Sequence, residues 1–454
     1  MVRLSALSPA ARIVVVALAG IIVVAGGYAL WLVAGPGPMD FASGHRAARS
    51  TTNATEMSFA GVPAELANAD LIARGEYLAR AADCSACHTT ENGQAYAGGR
   101  AFVLPFGTLY STNITPDKAT GIGNYSDADF LRAVREGVAP GGKRLYPAMP
   151  YPSYTYMTDA DALAIKAYLF SLPAVKVTQA ANTLAFPFNQ RWVMALWSAV
   201  LSPDERFAVN SEHSAQWNRG AYLAEAMAHC GECHTPRTLA FSLDHRRKYA
   251  GYKQAGWRAY NITADHETGI GGWSSQQVAE YVSHGHTHGR GAAGGPMGEA
   301  VDQSLRYLTA GDVEALVTYL KTVPPIVSHD LPAVKDVPAP ALHSEGLAAA
   351  VDPRGKQIFE GACVSCHGWS GLSPVLERAT FVGARAVNDP SAVNVVQVVL
   401  AGTNRNGGNM PAFGAAYSDV EVAAVANYVT ARFGSRASSV TEADVGKLRT
   451  QTSN

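Results

Sequence analysis

The longest apolar stretch of the chain lies near its N-terminus. Residues Ile13–Gly35 form a 23-residue apolar run, and no charged residue occurs between Arg12 and Asp40. A helix of this length spans about 34 Å, enough to cross the hydrocarbon core of a bilayer. Arg3 and Arg12 precede the run and favour a cytoplasmic N-terminus. The pattern predicts an uncleaved anchor over residues 1–40; a cleaved signal peptide, whose apolar region is usually shorter, is the alternative.

Beyond this run, apolar positions recur at helical spacing in three similar blocks of sequence. Each block closes with a predicted helix, over Asp159–Leu172, Ala310–Thr322 and Ser418–Phe433. Segments rich in Pro separate the blocks and are natural linkers. The predicted organisation is an anchor (1–40), a first domain (68–178), an apolar linker segment (179–212), a second domain (213–326), a linker (327–349), a third domain (350–436) and a polar tail (437–454).

The first two blocks repeat in detail. Asn113–Gly123 recurs as Asn261–Gly271, at an offset of 148 residues. An aromatic residue and a serine follow each copy, and we expect Ser126 and Ser274 to cap the next helix. All three blocks also carry an Arg-Gly pair ahead of their cysteines, at Arg74-Gly75, Arg219-Gly220 and Arg354-Gly355.

Composition excludes several classes of function. The chain has 36 basic and 37 acidic residues, so no electrostatic case exists for nucleic-acid binding. Hydrophobic residues make up 48% of the chain, too many for a mostly disordered protein. A mean hydropathy near zero excludes a protein with many membrane spans.

All the cysteines fall in three Cys-x-x-Cys-His runs, the attachment motif of c-type haem. The two thiols bind the porphyrin covalently, and the adjacent histidine is the proximal iron ligand. A thioredoxin-like pair needs no following histidine, and a zinc site needs four ligands gathered together. We therefore predict three covalent haems c. The cysteines are Cys84, Cys87, Cys230, Cys233, Cys363 and Cys366, and the histidines are His88, His234 and His367.

A methionine is the usual sixth iron ligand in electron-transfer cytochromes c. The repeat offset carries Met149 onto Met297, both in Gly/Pro-rich sequence that predicts loops, and Met410 is the only methionine after the third motif. Met157 competes with Met149, but the repeat pairs it with Leu308 and so predicts a core position. We predict Met149, Met297 and Met410 as iron ligands. Three six-coordinate irons leave no position for substrate, so the predicted chemistry is electron transfer.

Two segments stay open to more than one interpretation. His284, His286 and His288 lie in Gly-rich sequence, where a solvated surface is favoured over an axial ligand, a surface metal site or a haem-edge or propionate contact. Phe186–Leu201 is apolar with one charge, Arg191. It either packs between the first two domains or presents an apolar face to the bilayer or to a partner subunit.

Three runs of sequence carry a family resemblance: Tyr110–Asp117, Thr120–Gly123 and Leu145–Pro152. With the haem motifs, they resemble the three-haem cytochrome c subunit of bacterial membrane-bound dehydrogenases, over about Asp70 to Phe433. The resemblance implies a mainly α fold with three tandem cytochrome c domains behind one N-terminal transmembrane helix. It also implies that electrons arrive from a periplasmic catalytic subunit and leave to ubiquinone, with no substrate-oxidising site in this chain.

The resemblance also bears on the type of dehydrogenase. The alcohol and fructose types look anchored near the C-terminus, whereas the tail after Gly434 is polar here. Gly295–Met297 and Ser304–Thr309 look closer to cytochromes that accompany molybdenum-dependent aldehyde or N-heterocycle dehydrogenases. This favours an aldehyde-oxidising partner with a small iron–sulfur subunit. Because c-type haem is attached outside the cytoplasm, we expect the haem domains on the periplasmic side of the cytoplasmic membrane. Alternatives are an alcohol, polyol or gluconate dehydrogenase, a free-standing membrane-anchored electron shuttle and a terminal-oxidase haem subunit.

The motifs predict the haem content directly. A pyridine haemochrome assay on fully matured protein should give close to three haems per chain, because each motif binds one. The haem stain should survive a denaturing gel, since thioether bonds are covalent. Two haems or fewer per mature chain would contradict this reading.

Overall fold

The computed structural model describes residues 8–47, 49–51, 66, 68–202, 204–334, 348, 350–405 and 408–452. The chain is mainly helical, as predicted. The helices are α1 (Pro9–Val33), α2 (Leu71–Ala81), α3 (Cys84–His88), α4 (Asp127–Glu136), α5 (Tyr151–Tyr154), α6 (Asp159–Ser171), α7 (Arg191–Leu201), α8 (Ala215–Tyr222), α9 (Gly231–His234), α10 (Ser275–His284), α11 (Gly295–Gln303), α12 (Ala310–Leu320), α13 (Pro353–Ile358), α14 (Val364–His367), α15 (Val393–Ala401), α16 (Asp419–Phe433) and α17 (Glu442–Thr452).

The strands are short and pair only as antiparallel two-stranded ribbons within the described residues. They are β1 (Arg49–Thr51), β2 (Ala101–Leu104), β3 (Gly107–Tyr110), β4 (Val138–Ala139), β5 (Lys143–Arg144), β6 (Arg206–Ala208), β7 (Tyr252–Gln254), β8 (Trp257–Ala259), β9 (His286–Thr287), β10 (Gly291–Ala292), β11 (Thr403–Arg405) and β12 (Gly408–Met410). In the pair β1–β6, Ser50 lies opposite Phe207. This pairing joins the segment after α1 to the segment before the second unit.

Helix α1 is long and apolar enough to cross a membrane. It has 25 residues, a mean hydropathy of 2.6 in its most apolar window, and no buried residue in that window. The Ser8 side chain accepts a hydrogen bond from the Ala11 N–H at 3.3 Å, and Pro9 occupies the first turn, where its missing N–H costs nothing. Arg3, which entered the charge argument, lies outside the described residues.

Three helix crossings organise the body of the chain. In each unit the helix before the haem motif crosses the closing helix at the glycine of the Arg-Gly pair. A Cβ on Gly75 would come within 1.9 Å of the Ala164 carbonyl oxygen, and one on Gly220 within 1.9 Å of that of Ala315. In the third unit, a Cβ on Gly355 would come within 2.2 Å of the Ala424 oxygen. Glycine is therefore required at each crossing because the two backbones touch.

The predicted helix starts are confirmed. The Ser126 and Ser274 side chains each accept a hydrogen bond from the N–H three residues later, and the backbone N–H of each serine donates to the side-chain oxygen of that same residue, which completes a capping box. Ser418 caps α16 in the same way. Because a capping box satisfies two otherwise unpaired donors, the starting points of these helices are encoded locally.

The first two units share one core and exchange a tyrosine in each direction. Tyr77 of the first unit donates to the Asp312 carboxylate of the second at 2.5 Å, and Tyr222 of the second donates to Asp161 of the first at 2.7 Å. Each carboxylate also binds the arginine of its own unit: Arg219 donates to Asp312, and its counterpart Arg74 donates to Asp161 at 2.5 Å. Burial raises the pKa of Tyr77 above its ordinary value, and Asp312 adds to the rise, so this hydroxyl stays a donor.

The third unit has separate cores and includes the C-terminal segment. The prediction of a polar tail over 437–454 is wrong in part, because α17 packs against α15 and α16 with Val445 fully buried. The apolar residues of α17 are few, Ala443, Val445 and Leu448, and they give little periodic signal for this contact. Residues 335–347 and 349 of the predicted linker 327–349 lie outside the described residues.

The tyrosine exchange predicts a stability effect. Tyr77→Phe should lower the free energy of unfolding of the solubilised protein by about 1.5–3 kcal/mol, because it removes a buried hydrogen bond to a carboxylate. Tyr222→Phe should behave similarly at the mirror position. Tyr307→Phe, at a side chain that is 45% exposed, is the control and should change little. Equal effects at all three tyrosines in thermal or denaturant unfolding would contradict the exchange.

Candidate haem sites

The histidines of the first two motifs are oriented by backbone carbonyls. His88 ends α3, and its Nδ1 lies 2.6 Å from the Thr112 carbonyl oxygen. His234 ends α9, and its Nδ1 lies 2.6 Å from the Tyr260 oxygen. A carbonyl oxygen can only accept, so Nδ1 carries the proton in both rings. The other ring nitrogen, Nε2, is left as the metal-binding atom.

The repeated block found in the sequence holds the first of these carbonyls in place. Asn113 directly follows Thr112, and its Oδ1 accepts from the Thr115 N–H at 2.9 Å and from the Thr115 hydroxyl at 2.7 Å. Its Nδ2 donates to the Val175 carbonyl at 2.6 Å and to Thr120 Oγ1 at 3.1 Å. The loop is thereby tied to the chain that follows the closing helix α6.

The second unit repeats this arrangement. Asn261 accepts from the Thr263 N–H at 2.8 Å and hydroxyl at 2.7 Å, and donates to the Ile326 carbonyl at 2.6 Å. Thr268 Oγ1 lies 3.2 Å from its Nδ2. The repeated residues thus act as positioning residues for the carbonyls that orient His88 and His234.

The third histidine has the same orientation without the repeated block. Nδ1 of His367 lies 2.6 Å from the Ala379 carbonyl oxygen, and its ring stacks on Phe381 with centroids 4.2 Å apart. The carbonyl lies 12 residues after the histidine, against 24 and 26 in the first two units. The same orientation is thus reached through a shorter loop, and an aromatic ring holds the imidazole.

The described residues fit covalent haem. Burial lowers the pKa of His88, His234 and His367, although each carbonyl bond acts in the opposite direction, so the imidazoles are held neutral, the form that binds metal. The cysteines are free thiols in the structure. Burial raises the pKa of Cys84 and Cys230 to about 12. No group of three or more His, Cys, Asp or Glu is gathered for another metal among the described residues, so the zinc alternative has no ligand set there.

The predicted sixth ligands occupy three different local structures. Met149 lies in a turn before α5 and, like Met297, is partly buried against the core shared by the first two units. The prediction of a loop at Met297 is wrong: this residue lies in the first turn of α11, which begins at Gly295 and has Pro296 at its second position, where proline is tolerated. Met410 ends β12 opposite Thr403. Met157, the competitor, is 1% exposed in the core.

Each of the first two motifs lies against the other unit. Arg100 donates to the carbonyl of Ala86, which lies between the cysteines of the first motif. Arg100 also donates two hydrogen bonds to the carboxylate of Glu299 in α11, and its Nη2 lies 2.9 Å from Oε2. In the mirror contact, Ser153 of α5 donates to Glu232, between the cysteines of the second motif, at 3.0 Å. The segments that carry Met297 and Met149 therefore each contact the motif of the neighbouring unit.

The second motif also lies next to the end of α1. Gly231 and Glu232 of this motif line a narrow cavity of about 40 Å³ together with Pro38, which follows α1. Lys248 lines it too and donates to the Pro38 carbonyl at 2.6 Å, while forming a buried ion pair with Glu225 at 2.7 Å. The chain that follows α1 is thus bound to the second unit.

The histidine-rich segment extends from the end of α10 to the third unit. His284 ends α10, and His286 lies in β9. The His288 side chain is 87% exposed and contacts Glu377 of the third unit. The segment therefore lies at the contact between the second and third units, and its solvated surface stays a prediction.

Comparison with known proteins identifies the family. The family model described as "Cytochrome c" matches residues 72–173, and the one described as "Cytochrome C oxidase, cbb3-type, subunit III" matches residues 350–429. The gluconate 2-dehydrogenase cytochrome c subunit of Pantoea cypripedii is 37% identical over 87% of this chain and 92% of its own length. The chain belongs to the cytochrome c subunits of bacterial dehydrogenases.

Two further relatives share this similarity. The fructose dehydrogenase cytochrome subunit of Gluconobacter japonicus is 37% identical over 83% of this chain and 82% of its own length. A nicotinate dehydrogenase subunit of Pseudomonas putida is 40% identical over 81% of this chain but only 30% of its own length. The resemblance inferred from the haem motifs and the repeated block is therefore confirmed. The oxidase-type match covers the third unit alone.

The turn at Gly295 provides a test of this cytochrome's second site. Its φ is +49°, and an added Cβ would lie 2.4 Å from the Trp257 ring. Gly295→Ala should displace the start of α11 with Met297, at a cost of about 1–3 kcal/mol, and convert part of one haem to a high-spin or misligated form. Absorption and EPR spectra measure that fraction.

Gly289→Ala is the matched control. Gly289 has a φ of +71° and no atom within 4 Å of an added Cβ, so it reproduces the backbone strain without the collision. Its spectrum should match the wild type. If Gly295→Ala and Met297→Ala both leave the spectrum unchanged, Met297 is not the ligand.

Proposed function

We propose that this chain is the electron-transfer subunit of a periplasmic dehydrogenase complex, with three covalent haems c, and that it delivers electrons to ubiquinone in the cytoplasmic membrane. The observation that carries the proposal is the common orientation of His88, His234 and His367. In each, a backbone carbonyl 2.6 Å from Nδ1 leaves Nε2 for iron. Haem c supplies reversible one-electron chemistry, at a potential that methionine ligation raises.

Three complete ligand sets define the sites. His88 with Met149, His234 with Met297 and His367 with Met410 would hold the irons, and each Cys pair would hold the porphyrin. The middle unit is proposed as a cytochrome c domain because it repeats the glycine crossing, the capped helix and the histidine orientation of the first unit. For the three cytochrome c domains we propose the boundaries predicted from the sequence, 68–178, 213–326 and 350–436.

The contacts of α1 support an uncleaved anchor. Tyr28 accepts a hydrogen bond from the Leu239 N–H at 2.9 Å, and the Arg246 guanidinium lies 4.0 Å from the centre of a Trp31 ring. These contacts are formed by the last turns of the helix itself. We propose one N-terminal span, with the haem units in the periplasm. The closeness of the second motif to Pro38 supports the second unit as the exit toward the lipid-phase quinone.

The partner type rests on similarity. An aldehyde-oxidising, molybdenum-dependent catalytic subunit with a small iron–sulfur subunit is the proposed partner, and the 40% identity to the nicotinate dehydrogenase relative supports a partner of the aldehyde or N-heterocycle type. The 37% identity to the gluconate 2-dehydrogenase relative favours the second candidate, a sugar-acid or alcohol dehydrogenase. Purification from native membranes decides between them, because a molybdopterin subunit supports the first and a flavin or quinoprotein subunit the second.

Removal of the anchor should separate electron uptake from quinone reduction. A variant lacking residues 1–35, exported by a cleavable signal peptide, should keep its haem content and reduce ferricyanide at the normal rate with its partner. Its reduction of membrane ubiquinone should fall sharply, because the body is no longer confined to the membrane surface. Full quinone activity in this variant would mean that the anchor only retains the protein or that the physiological acceptor is soluble.

A further inference from the structure

Helix α7 has two faces of different character. Met194 and Ser198 are buried, and Ser198 lies 3.2 Å from the Tyr151 hydroxyl. On the other face, Trp192, Leu196 and Val200 follow one another at intervals of four residues and are 61%, 62% and 56% exposed. The segment therefore packs on the body, as one sequence interpretation held, and also presents an apolar stripe outward.

The exposed stripe of α7 contains no charged residue. From Trp192 to Leu201 the sequence has no charged residue. The one charge, Arg191, lies at the first position, where its guanidinium lies 5.1 Å from the centre of the Tyr146 ring and donates to the Arg144 carbonyl. An exposed face with no charge is unusual at a water-facing surface.

A loop connects the stripe to the membrane anchor. Trp197 turns toward the body and donates from Nε1 to the Ala240 carbonyl at 2.6 Å. The flanking side chains Leu239 and Phe241 are 86% and 48% exposed. Leu239 is also the residue whose N–H binds Tyr28 of α1. Hydrogen bonds thus join the exposed apolar loop 239–241 to α1 through Tyr28 and to α7 through Trp197.

The position of Tyr28 sets the depth of this surface. Tyr28 lies five residues before the last residue of α1, Val33, which corresponds to about 7.5 Å along the helix axis. Tyrosine and tryptophan near the end of a membrane span lie at headgroup level. A loop hydrogen-bonded to Tyr28 therefore reaches at least that level, and its exposed Leu239 lies where acyl chains begin.

We propose that the lipid bilayer covers this surface: the stripe Trp192, Leu196 and Val200 with Leu239 and Phe241 enters the interfacial region beside α1. The inference rests on the proposed membrane span of α1. The body is then held at a fixed tilt by two contacts with the membrane, the span and an interfacial helix, with the second haem motif on the membrane side. Lipid is the occupant because residues 239–241 connect the stripe to a helix whose own apolar surface would lie in lipid.

Lipid crosslinking tests this directly. The full-length protein is reconstituted in nanodiscs that contain a phospholipid with a photoactivatable acyl chain, and the adducts are located by mass spectrometry. We expect adducts on the peptides of α1, α7 and residues 239–241. In Leu196→Glu, adducts on α7 should fall about tenfold while those on α1 persist, because a carboxylate withdraws the face from the acyl chains.

A matched control and the contrary outcomes are available in the same experiment. Val327→Glu alters a residue that is 52% exposed outside this surface and should leave every adduct unchanged. Adducts on α1 alone would overturn the inference while leaving the anchor intact, and no adducts on α1 would overturn the anchor as well. Loss of the α7 adducts on addition of the catalytic subunit, or two copies per disc with α7 protected, would show that a protein covers the face.

Discussion

The contact on which each unit depends is the crossing of two helix backbones at a glycine. At Gly75, Gly220 and Gly355 the facing carbonyl oxygen lies so close that a side chain would collide with it. The haem motif begins within two or three helical turns of each crossing. In the first two units, the chain after the closing helix in turn fixes the loop whose carbonyl orients the motif histidine. An added Cβ at the crossing would therefore displace the histidine from its acceptor, and not only loosen the core.

The first two units are built as a pair around this arrangement. Asp161 and Asp312 each receive a tyrosine from the opposite unit and an arginine from their own. Buried carboxylates are costly unless fully paired, so these exchanges specify one relative orientation of the two units. The third unit is joined differently, through Arg258, which pairs with the fully buried Asp389 at 3.3 Å. The chain is thus a tightly coupled pair of motifs with a third unit attached through the second.

Much of the fold and of the candidate sites follows from the sequence, for identifiable reasons. The Cys-x-x-Cys-His spacing, the serine caps and the apolar run are local patterns, and local patterns can be recognised from the sequence alone. The carbonyls of Thr112 and Ala379 were not predicted, because a backbone acceptor has no sequence signature; only the repeated Asn113 block hinted at the first. The sequence does not predict helix α17, because Val445 and Leu448 among mostly polar residues give almost no period. The Gly/Pro-rich sequence around Met297 predicts a loop because proline and glycine usually interrupt helices. Proline is nevertheless favoured in the first turn of a helix, where Pro296 lies.

The central claim is that three haem sites in this chain connect a dehydrogenase to the membrane quinone. The most direct measurement is rapid-mixing absorption spectroscopy of the complex purified from native membranes. On addition of the substrate of the copurified dehydrogenase, the account predicts reduction of all three haems of this chain at rates no slower than turnover, then reoxidation by a ubiquinone analogue. Haems that stay oxidised during turnover, or that quinone cannot reoxidise, would contradict it.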